Sequence, residues 1–129
     1  MAHVDAARLQ EAQGRLTEQG IDVVRLGYAD LIGTDRSRDL LVSHFARTAG
    51  SGIAFCRSVY GTSPMGDVVE IEGGLADGLP DILAVPDAST LRPMPWAPGV
   101  AHCIADLVNP DGTPSAESPR QVLRRAVEH

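Results

Sequence analysis

Few side chains in this sequence are suited to nucleophilic or metal chemistry. The two cysteines, Cys56 and Cys103, do not form a Cys-x-x-Cys pair. Since the N-terminus carries no export signal, a reducing compartment favours free thiols over a disulfide. His102 precedes Cys103, but adjacent strand residues point to opposite faces, so the two cannot jointly hold one ion without distortion. All eleven basic residues are arginine, which excludes a Schiff-base lysine.

The signatures of phosphoryl transfer are also missing. No glycine-rich loop is followed by a lysine, and the acidic pair Glu70 and Glu72 stands alone. Activating a carboxylate by phosphorylation needs divalent cations that bridge phosphate oxygens and a cationic clamp for the developing charge. We therefore expect this chain to be catalytically inert in isolation and to hold no metal.

Composition narrows the class of protein and its partners. The 129 residues, 43% hydrophobic and 22% charged, predict one globular domain of average size. A formal net charge of −6 without a clustered basic face argues against a nucleic-acid partner. No apolar run approaches the ~20 residues that cross a bilayer, and the N-terminus lacks the order of a secretory signal. We expect a cytoplasmic protein with no membrane partner.

Hydrophobic periodicity predicts about five strands and three helices. Leu9, Ala12 and Leu16 fall on one helical face and predict a helix over 5–19, and a period of two then predicts a strand over 22–28. Glycines and prolines leave 51–80 mostly loop, with 68–71 its only strand-like piece. The other predicted elements are a return strand at 36–42, a helix at 44–49 capped by Ser43, strands at 81–85 and 100–108, and a terminal helix starting at Ser118 and Pro119. This order favours an α+β fold, a mixed sheet with a helix across one face.

Three sequence blocks in a fixed order carry a family resemblance. They are PDASTLR (86–92), PW (95–96) and DLVNPDGTP (106–114), the last leading into SPRQVLR (118–124). Together they resemble the N-terminal domain of the glutamine synthetase family. The same family pattern has an aspartate, a glycine turn and a basic return strand, then a phenylalanine before a glycine, matched here by Asp30, Gly33, Arg36, Arg38, Phe45 and Gly50. The resemblance covers about residues 20–129.

The resemblance implies a β-grasp, ubiquitin-like fold and a division of the chain. Residues 1–20 would form an N-terminal helix, 21–117 the β-grasp domain, and 118–129 a helix connecting to a catalytic domain that this chain lacks. In this family ATP, glutamate and the metal-binding carboxylates belong to that larger C-terminal domain. We therefore expect no cofactor in this chain, with ATP and Mg²⁺ or Mn²⁺ bound only by the catalytic domain.

By resemblance, such a domain packs against the catalytic domain of its own or a neighbouring subunit in a homo-oligomer, and its loop forms one wall of the amine pocket. The family's usual loop reads Phe-Asp-Gly-Ser-Ser, whose aspartate helps to bind ammonium. The matching residues here are Phe55, Cys56, Arg57, Ser58 and Val59. A thiol does not hold ammonium as a carboxylate does. We therefore predict an amine other than ammonia, with Cys56, Arg57 and Ser58 in the substrate-pocket loop.

Each of these residues also has a structural interpretation. Cys56 could be a small apolar filler at a loop base, and Arg57 and Ser58 could be solvated. Trp96 is a candidate interface anchor, but a core position is equally compatible with a chain so poor in aromatics. Cys103 is expected in the core.

Two functions from different classes remain open at this point. The first is the N-terminal domain of a glutamine synthetase-like ligase that joins glutamate to ammonia or another amine, within glutamine biosynthesis and nitrogen metabolism. The second is a free-standing ubiquitin-like module that binds other proteins through a sheet face or edge and has no ligase activity. A small thiol or metal protein is the weakest alternative.

Overall fold

The computed structural model describes residues 6–70, 78 and 80–128. Within these residues the chain forms three helices and six strands. The helices are α1 (Ala6–Glu18), α2 (Val42–Ser51) and α3 (Pro119–Glu128). The strands are β1 (Val23–Ala29), β2 (Asp35–Leu41), β3 (Ile53–Cys56), β4 (Asp81–Pro86), β5 (Arg92–Pro93) and β6 (Val100–Val108). Short 3-10 helices follow β3 at Arg57–Gly61 and β4 at Ala88–Thr90.

The strands form a mixed sheet in the order β2-β1-β6-β4-β3. The N-terminal hairpin pairs β1 with β2 antiparallel, and β1 also pairs parallel with β6. The second half of β6 pairs antiparallel with β4, which pairs in turn with β3, while β5 pairs with the start of β6. The predicted α+β class, with a mixed sheet and a helix across one face, is confirmed. The strand β3 lies at one edge of the sheet.

The core lies between this sheet and the helices α1 and α2. The predicted stripe of Leu9, Ala12 and Leu16 on α1 is buried, and α2 contributes Phe45, whose side chain is fully buried. Alternate residues of the strands face the helices, which is why β1 and β6 show a period of two in the sequence. They are Val24, Leu26, Tyr28, Ala101, Cys103, Ala105 and Leu107. The opposite face, called the open face below, carries Arg25, Gly27, His102 and Ile104.

Two predicted elements differ from the structure. The helix α2 begins at Val42 rather than His44, and the residue before it, Leu41, makes no side-chain cap hydrogen bond, so the expected Ser43 cap is wrong. The stretch after Ser51, predicted to be mostly loop, contains the strand β3. A four-residue strand is too short to show a period, and its pairing with β4 supplies the order that local sequence does not.

The strand-like piece at 68–71 is reduced to a single bridge between Thr62 and Val68, and Ile71 and Glu72 lie outside the described residues. The C-terminal helix begins at Pro119 as predicted. Among the described residues, none of the helices has the length and apolar character that crossing a bilayer would require.

Candidate functional site

The predicted pocket loop begins at the end of the edge strand β3. Cys56 is the last residue of β3, where it stands opposite Asp81 of β4, and the chain then turns into the 3-10 helix Arg57–Gly61. The backbone N–H of Arg57 donates to the carbonyl oxygen of Pro80 at 3.0 Å, which fastens the start of the turn to the neighbouring chain. The sheet therefore fixes one end of the loop and leaves its side chains at an edge.

An open cavity of about 480 Å³ lies beside this loop. Its walls come from the loop and from the β1–β2 hairpin, which are far apart in the sequence. The lining residues are Tyr28, Asp35, Arg36, Ser37, Phe55, Cys56, Ser58, Val59 and Thr62. Cys56 and Ser58 both face it, with the thiol Sγ 3.1 Å from the hydroxyl Oγ. Two of the three predicted loop residues are thus brought together in one cavity.

Two aromatic rings in contact with each other form one wall of the cavity. The rings of Tyr28 and Phe55 meet edge to face with centroids 4.9 Å apart, and the guanidinium of Arg38 lies 4.8 Å from the Phe55 centroid. Such arrangements match the negative face of one ring to a positive edge or cation. Burial, reinforced by nearby Tyr60, raises the pKa of Tyr28 to about 12, so its phenol remains protonated at neutral pH.

The arginine in the cavity wall is neutralised by a buried carboxylate. Arg36 Nε donates to Asp30 Oδ2 at 2.8 Å, and the other carboxylate oxygen accepts the backbone N–H groups of Ile32 at 3.1 Å and Thr34 at 2.8 Å. Burial opposes ionisation of Asp30, but these hydrogen bonds outweigh it and hold its pKa below the usual range. Asp30 therefore organises the β1–β2 turn and supplies the counter-charge for Arg36.

The third predicted loop residue, Arg57, is directed elsewhere. Its guanidinium donates to the Glu117 carboxylate and to Asn109 Oδ1 at 3.3 Å. Its side chain is 21% exposed, so it is mostly enclosed rather than solvated. Arg57 is not among the residues that line the cavity. Its place in the substrate pocket remains a prediction. Its hydrogen bonds to Asn109 and Glu117 direct its side chain away from the cavity.

The remaining candidate residues lie apart from the cavity. Cys103 is buried in the core, as expected, and burial raises the pKa of its thiol to about 11. His102 lies on the open face, as the strand alternation predicted, and both cysteines are free thiols. Within the part of the chain that the structure describes, no three His, Cys, Asp or Glu side chains cluster as a metal site would require.

Trp96 lies in the turn between β5 and β6 with 78% of its surface exposed. A buried core position for this side chain is therefore wrong, and an interface role remains a prediction. An exposed tryptophan beside prolines is costly to leave in water unless a partner covers it.

Sequence reasoning missed the hairpin side of the cavity. Tyr28, Asp35 and Ser37 carried no local signal of a site, because each reads as an ordinary strand residue. Only the fold of the sheet brings them next to Phe55 and Cys56. The strand alternation that placed Tyr28 on the helix-covered face was visible in the sequence, but its partner strand β3 was not.

Known ligases resemble this chain over most of its length. It is 29% identical over 131 residues to the glutamate–isopropylamine ligase of a Pseudomonas species, which covers 99% of this chain and 28% of the relative. It is 33% identical over 115 residues to the glutamine synthetase of Mycobacterium tuberculosis, which covers 85% of this chain and 23% of the relative. The chain thus spans about a quarter of the length of these curated relatives. No protein-family model matches it.

The fold agrees with these sequence matches. The crystal structure of a novel glutamine synthase homolog superposes with a TM-score of 0.69 at 26% identity, covering 84% of this chain and 26% of that one. The sequence blocks, the strand order and these two kinds of similarity point to the same domain. In sequence and in fold, this chain corresponds to the N-terminal domain of glutamine synthetase-like ligases.

Proposed function

We propose that this chain serves as the N-terminal domain of an ATP-dependent ligase that joins the γ-carboxylate of glutamate to an amine, and that it forms one wall of the amine pocket. The observation that carries the proposal is the joint placement of Cys56 and Ser58 in an open cavity at the sheet edge. The cavity is open on one side, so a second domain placed against it would complete an enclosed pocket. ATP and Mg²⁺ would activate the carboxylate in that second domain, supplied by polypeptide outside these 129 residues.

The cavity wall favours an amine with a carbon body over ammonia. Tyr28, Phe55 and Val59 offer apolar surface, while Ser58 and Thr62 offer hydroxyl groups. Cys56 stands where the family has its ammonium-binding aspartate, so this position supplies no anion. Burying an alkyl group against apolar side chains favours binding, whereas ammonia has no apolar surface to bury. The similarity to a glutamate–isopropylamine ligase supports the same class of substrate.

Exposed apolar side chains away from the cavity support a role in assembly. Trp96 is exposed, and the helix α3 presents Leu123 and Val127, 63% and 77% exposed, away from the domain. Exposed aromatic and aliphatic side chains of this size are enriched where subunits and domains meet. We propose that α3 is the connector to the catalytic domain and that Trp96 contacts a subunit of a homo-oligomer, with 21–117 as the intervening domain.

Adding this chain to a shortened ligase tests the proposal. The partner is the Pseudomonas glutamate–isopropylamine ligase from which the matched 28% has been deleted. We expect the 129-residue chain alone to form no amide, and the mixture to co-elute as a larger species and form γ-glutamyl amides from alkylamines. Hydrolysis of ATP by the pure chain with glutamate and Mg²⁺ would contradict its assigned role. A monomer that ignores the shortened ligase would favour the free-standing interaction module instead.

Cys56→Asp tests the amine class within that mixture. A carboxylate at this position could accept a charge-assisted hydrogen bond from ammonium, worth roughly 1.5–3 kcal/mol. An alkylammonium could donate the same bond, but its alkyl group would displace water from the carboxylate and so offset the gain. We expect the ratio of kcat/KM for ammonia to that for isopropylamine to rise about tenfold or more. Cys56→Ser is the matched control, because it keeps a small neutral side chain and should leave the ratio nearly unchanged. An equal ratio in both variants would show that residue 56 does not contact the amine.

A further inference from the structure

A chain of polar side chains joins the cavity loop to the residues before α3. Arg57 donates to Glu117, and Ser115 Oγ donates to the other Glu117 carboxylate oxygen at 3.1 Å. Ser115 Oγ in turn lies 3.2 Å from the hydroxyl of Tyr60. Arg57 and Tyr60 belong to the same 3-10 helix, so this turn is tied at both ends to the segment 115–117. We call these four side chains the Arg57–Glu117 latch.

The latch is better shielded than an ordinary surface ion pair. Ser115 is fully buried and Tyr60 is 5% exposed, so half of the latch is closed to water. Exposed ion pairs contribute little, but hydrogen bonds that share a carboxylate with buried donors strengthen one another. Burial opposes ionisation of Glu117, yet its own backbone N–H, Arg57 and Ser115 outweigh it and keep its pKa below the usual range. Glu117 is therefore an anion at neutral pH.

Arg57 and its two neighbours in the loop face different ways. Arg57 lies between Cys56 and Ser58 in the sequence, and its side chain is drawn to Glu117 and Asn109, whereas both neighbours line the cavity. If Arg57 were released, this end of the 3-10 helix would lose its side-chain bonds to Glu117 and Asn109, and it would keep the backbone bond to Pro80 and the local contacts of Ser58 with Cys56 and Thr62. Glu117 lies two residues before the first residue of α3. The orientation of Cys56 and Ser58 is thus connected to the point where α3 begins.

We infer that Arg57 is a positioning residue: through Glu117 it holds Cys56 and Ser58 toward the cavity and links their orientation to the segment that leads into α3. The effect on amine selection rests on the proposed function, but the effect on the loop does not. Arg57 itself contacts no amine in this assignment. Its contribution is the geometry of its two neighbours.

The reaction rate of the Cys56 thiol measures that geometry in the intact 129-residue chain. Cys56 is exposed, whereas Cys103 is buried with a raised pKa, so a disulfide reagent such as DTNB should give a fast phase from Cys56 and a slow one from Cys103. The variants are Arg57→Met and Glu117→Gln. Arg25→Met is the matched control, because it breaks the Arg25–Asp39 ion pair on the open face, far from the loop.

Loss of the latch and loss of a nearby charge predict different changes in the rate of the Cys56 reaction. A released loop frees the Cys56 thiol from its contact with Ser58 Oγ more often in both variants, so both should speed the fast phase, by about fivefold for a lost interaction of roughly 1 kcal/mol. A purely electrostatic influence would slow the reaction in Arg57→Met and speed it in Glu117→Gln, because the two variants change the local charge in opposite directions. The double variant should react no faster than either single one. In Arg57→Lys, the Cys56 reaction should be slower than in Arg57→Met and closer to that of the parent chain.

Opposite changes in the two variants, or a Glu117→Gln rate equal to that of the parent chain, would overturn the inference. Glu117 is 41% exposed at its side chain, so that variant keeps the test valid if Arg57→Met does not fold. The amine assay separates this result from the proposed function. A faster thiol reaction without any change in the KM for amines in the reconstituted ligase would support the latch. It would contradict the proposal that the loop forms part of the amine pocket. An altered KM for alkylamines with unchanged kcat would support both.

Discussion

The helices α1 and α3 are both short and amphipathic, but they are attached to the domain by different forces. The apolar stripe of α1 is buried, with Leu9 at 1% and Leu16 at 4% exposure. The apolar residues of α3 remain in water, with Leu123 at 63% and Val127 at 77%, and none of its described residues is buried. An amphipathic pattern therefore predicts a helix without telling which surface covers it.

What holds α3 is a cluster of four charges. Arg120 donates to Asp87 at 2.6 Å and to Asp106 at 2.9 Å, and Arg124 donates to Asp106 at 3.0 Å. Apolar burial is the dominant favourable contribution to folding, whereas partly solvated ion pairs such as these are screened by salt and contribute less. The comparison indicates that α1 belongs to the core, and we expect α3, whose apolar side is left uncovered, to open more easily.

The largest contrast is expected from truncating one apolar side chain on each side of this comparison. Leu9→Ala on α1, whose side chain is 1% exposed, should lower the free energy of unfolding by about 2–5 kcal/mol, because it leaves a cavity in the core. Leu123→Ala on α3 should change it by less than about 0.5 kcal/mol. Urea denaturation followed by circular dichroism measures both. A similar loss in the two variants would mean that α3 is part of the core after all.

An intermediate effect is expected from removing Arg120, the residue of α3 that donates to both carboxylates of the cluster. Arg120→Met should lower the free energy of local opening of α3 by about 1–2 kcal/mol, since it breaks two charge-assisted hydrogen bonds. Hydrogen exchange measures this at the amides of α3, with those of α1 unchanged. Arg125→Met is the control on the same helix, because Arg125 donates to the backbone oxygen of Ala116. Equal loss of protection in both variants would contradict a specific role for the cluster.

The smallest effect on the stability of α3 is expected from acidification, which protonates the Asp87 carboxylate. Burial opposes its ionisation, but hydrogen bonds from Ser89 and Arg120 hold its pKa below the ordinary value of 3.8. A carboxyl whose folded-state pKa is depressed stabilises the protein above that ordinary value, and the contribution disappears as the pH falls through the folded-state pKa. The charges facing Asp87 are those of Arg120 and Arg124, with Asp106 sharing both arginines.

The amide signals of α3 in NMR spectra should therefore shift below about pH 4 before those of α1 change. The variant Asp87→Asn provides the control, because it removes the titrating group and should reduce this pH dependence. A pH response of α3 that is the same in Asp87→Asn and in the parent chain would assign the effect to another group.

The candidate site was only half visible in the sequence. Cys56 and Ser58 were identified from a family resemblance, and the structure does place them in one cavity. Arg57 gave no signal of its true partner, because Glu117 is 60 residues away and an arginine in a loop reads as solvated. The strand β3 was missed for a related reason: four residues carry no detectable period, and their order comes from pairing with β4.

The sequence alone determined the elements whose signals are local: the buried stripe of α1, the alternation of β1 and β6, and the proline start of α3. It also determined the family, through blocks of residues in a fixed order. The tertiary structure alone decided the cavity, the latch and the exposure of α3. These depend on which distant segments meet, and that choice is made by sheet pairing and core burial across the whole domain rather than by neighbours along the chain.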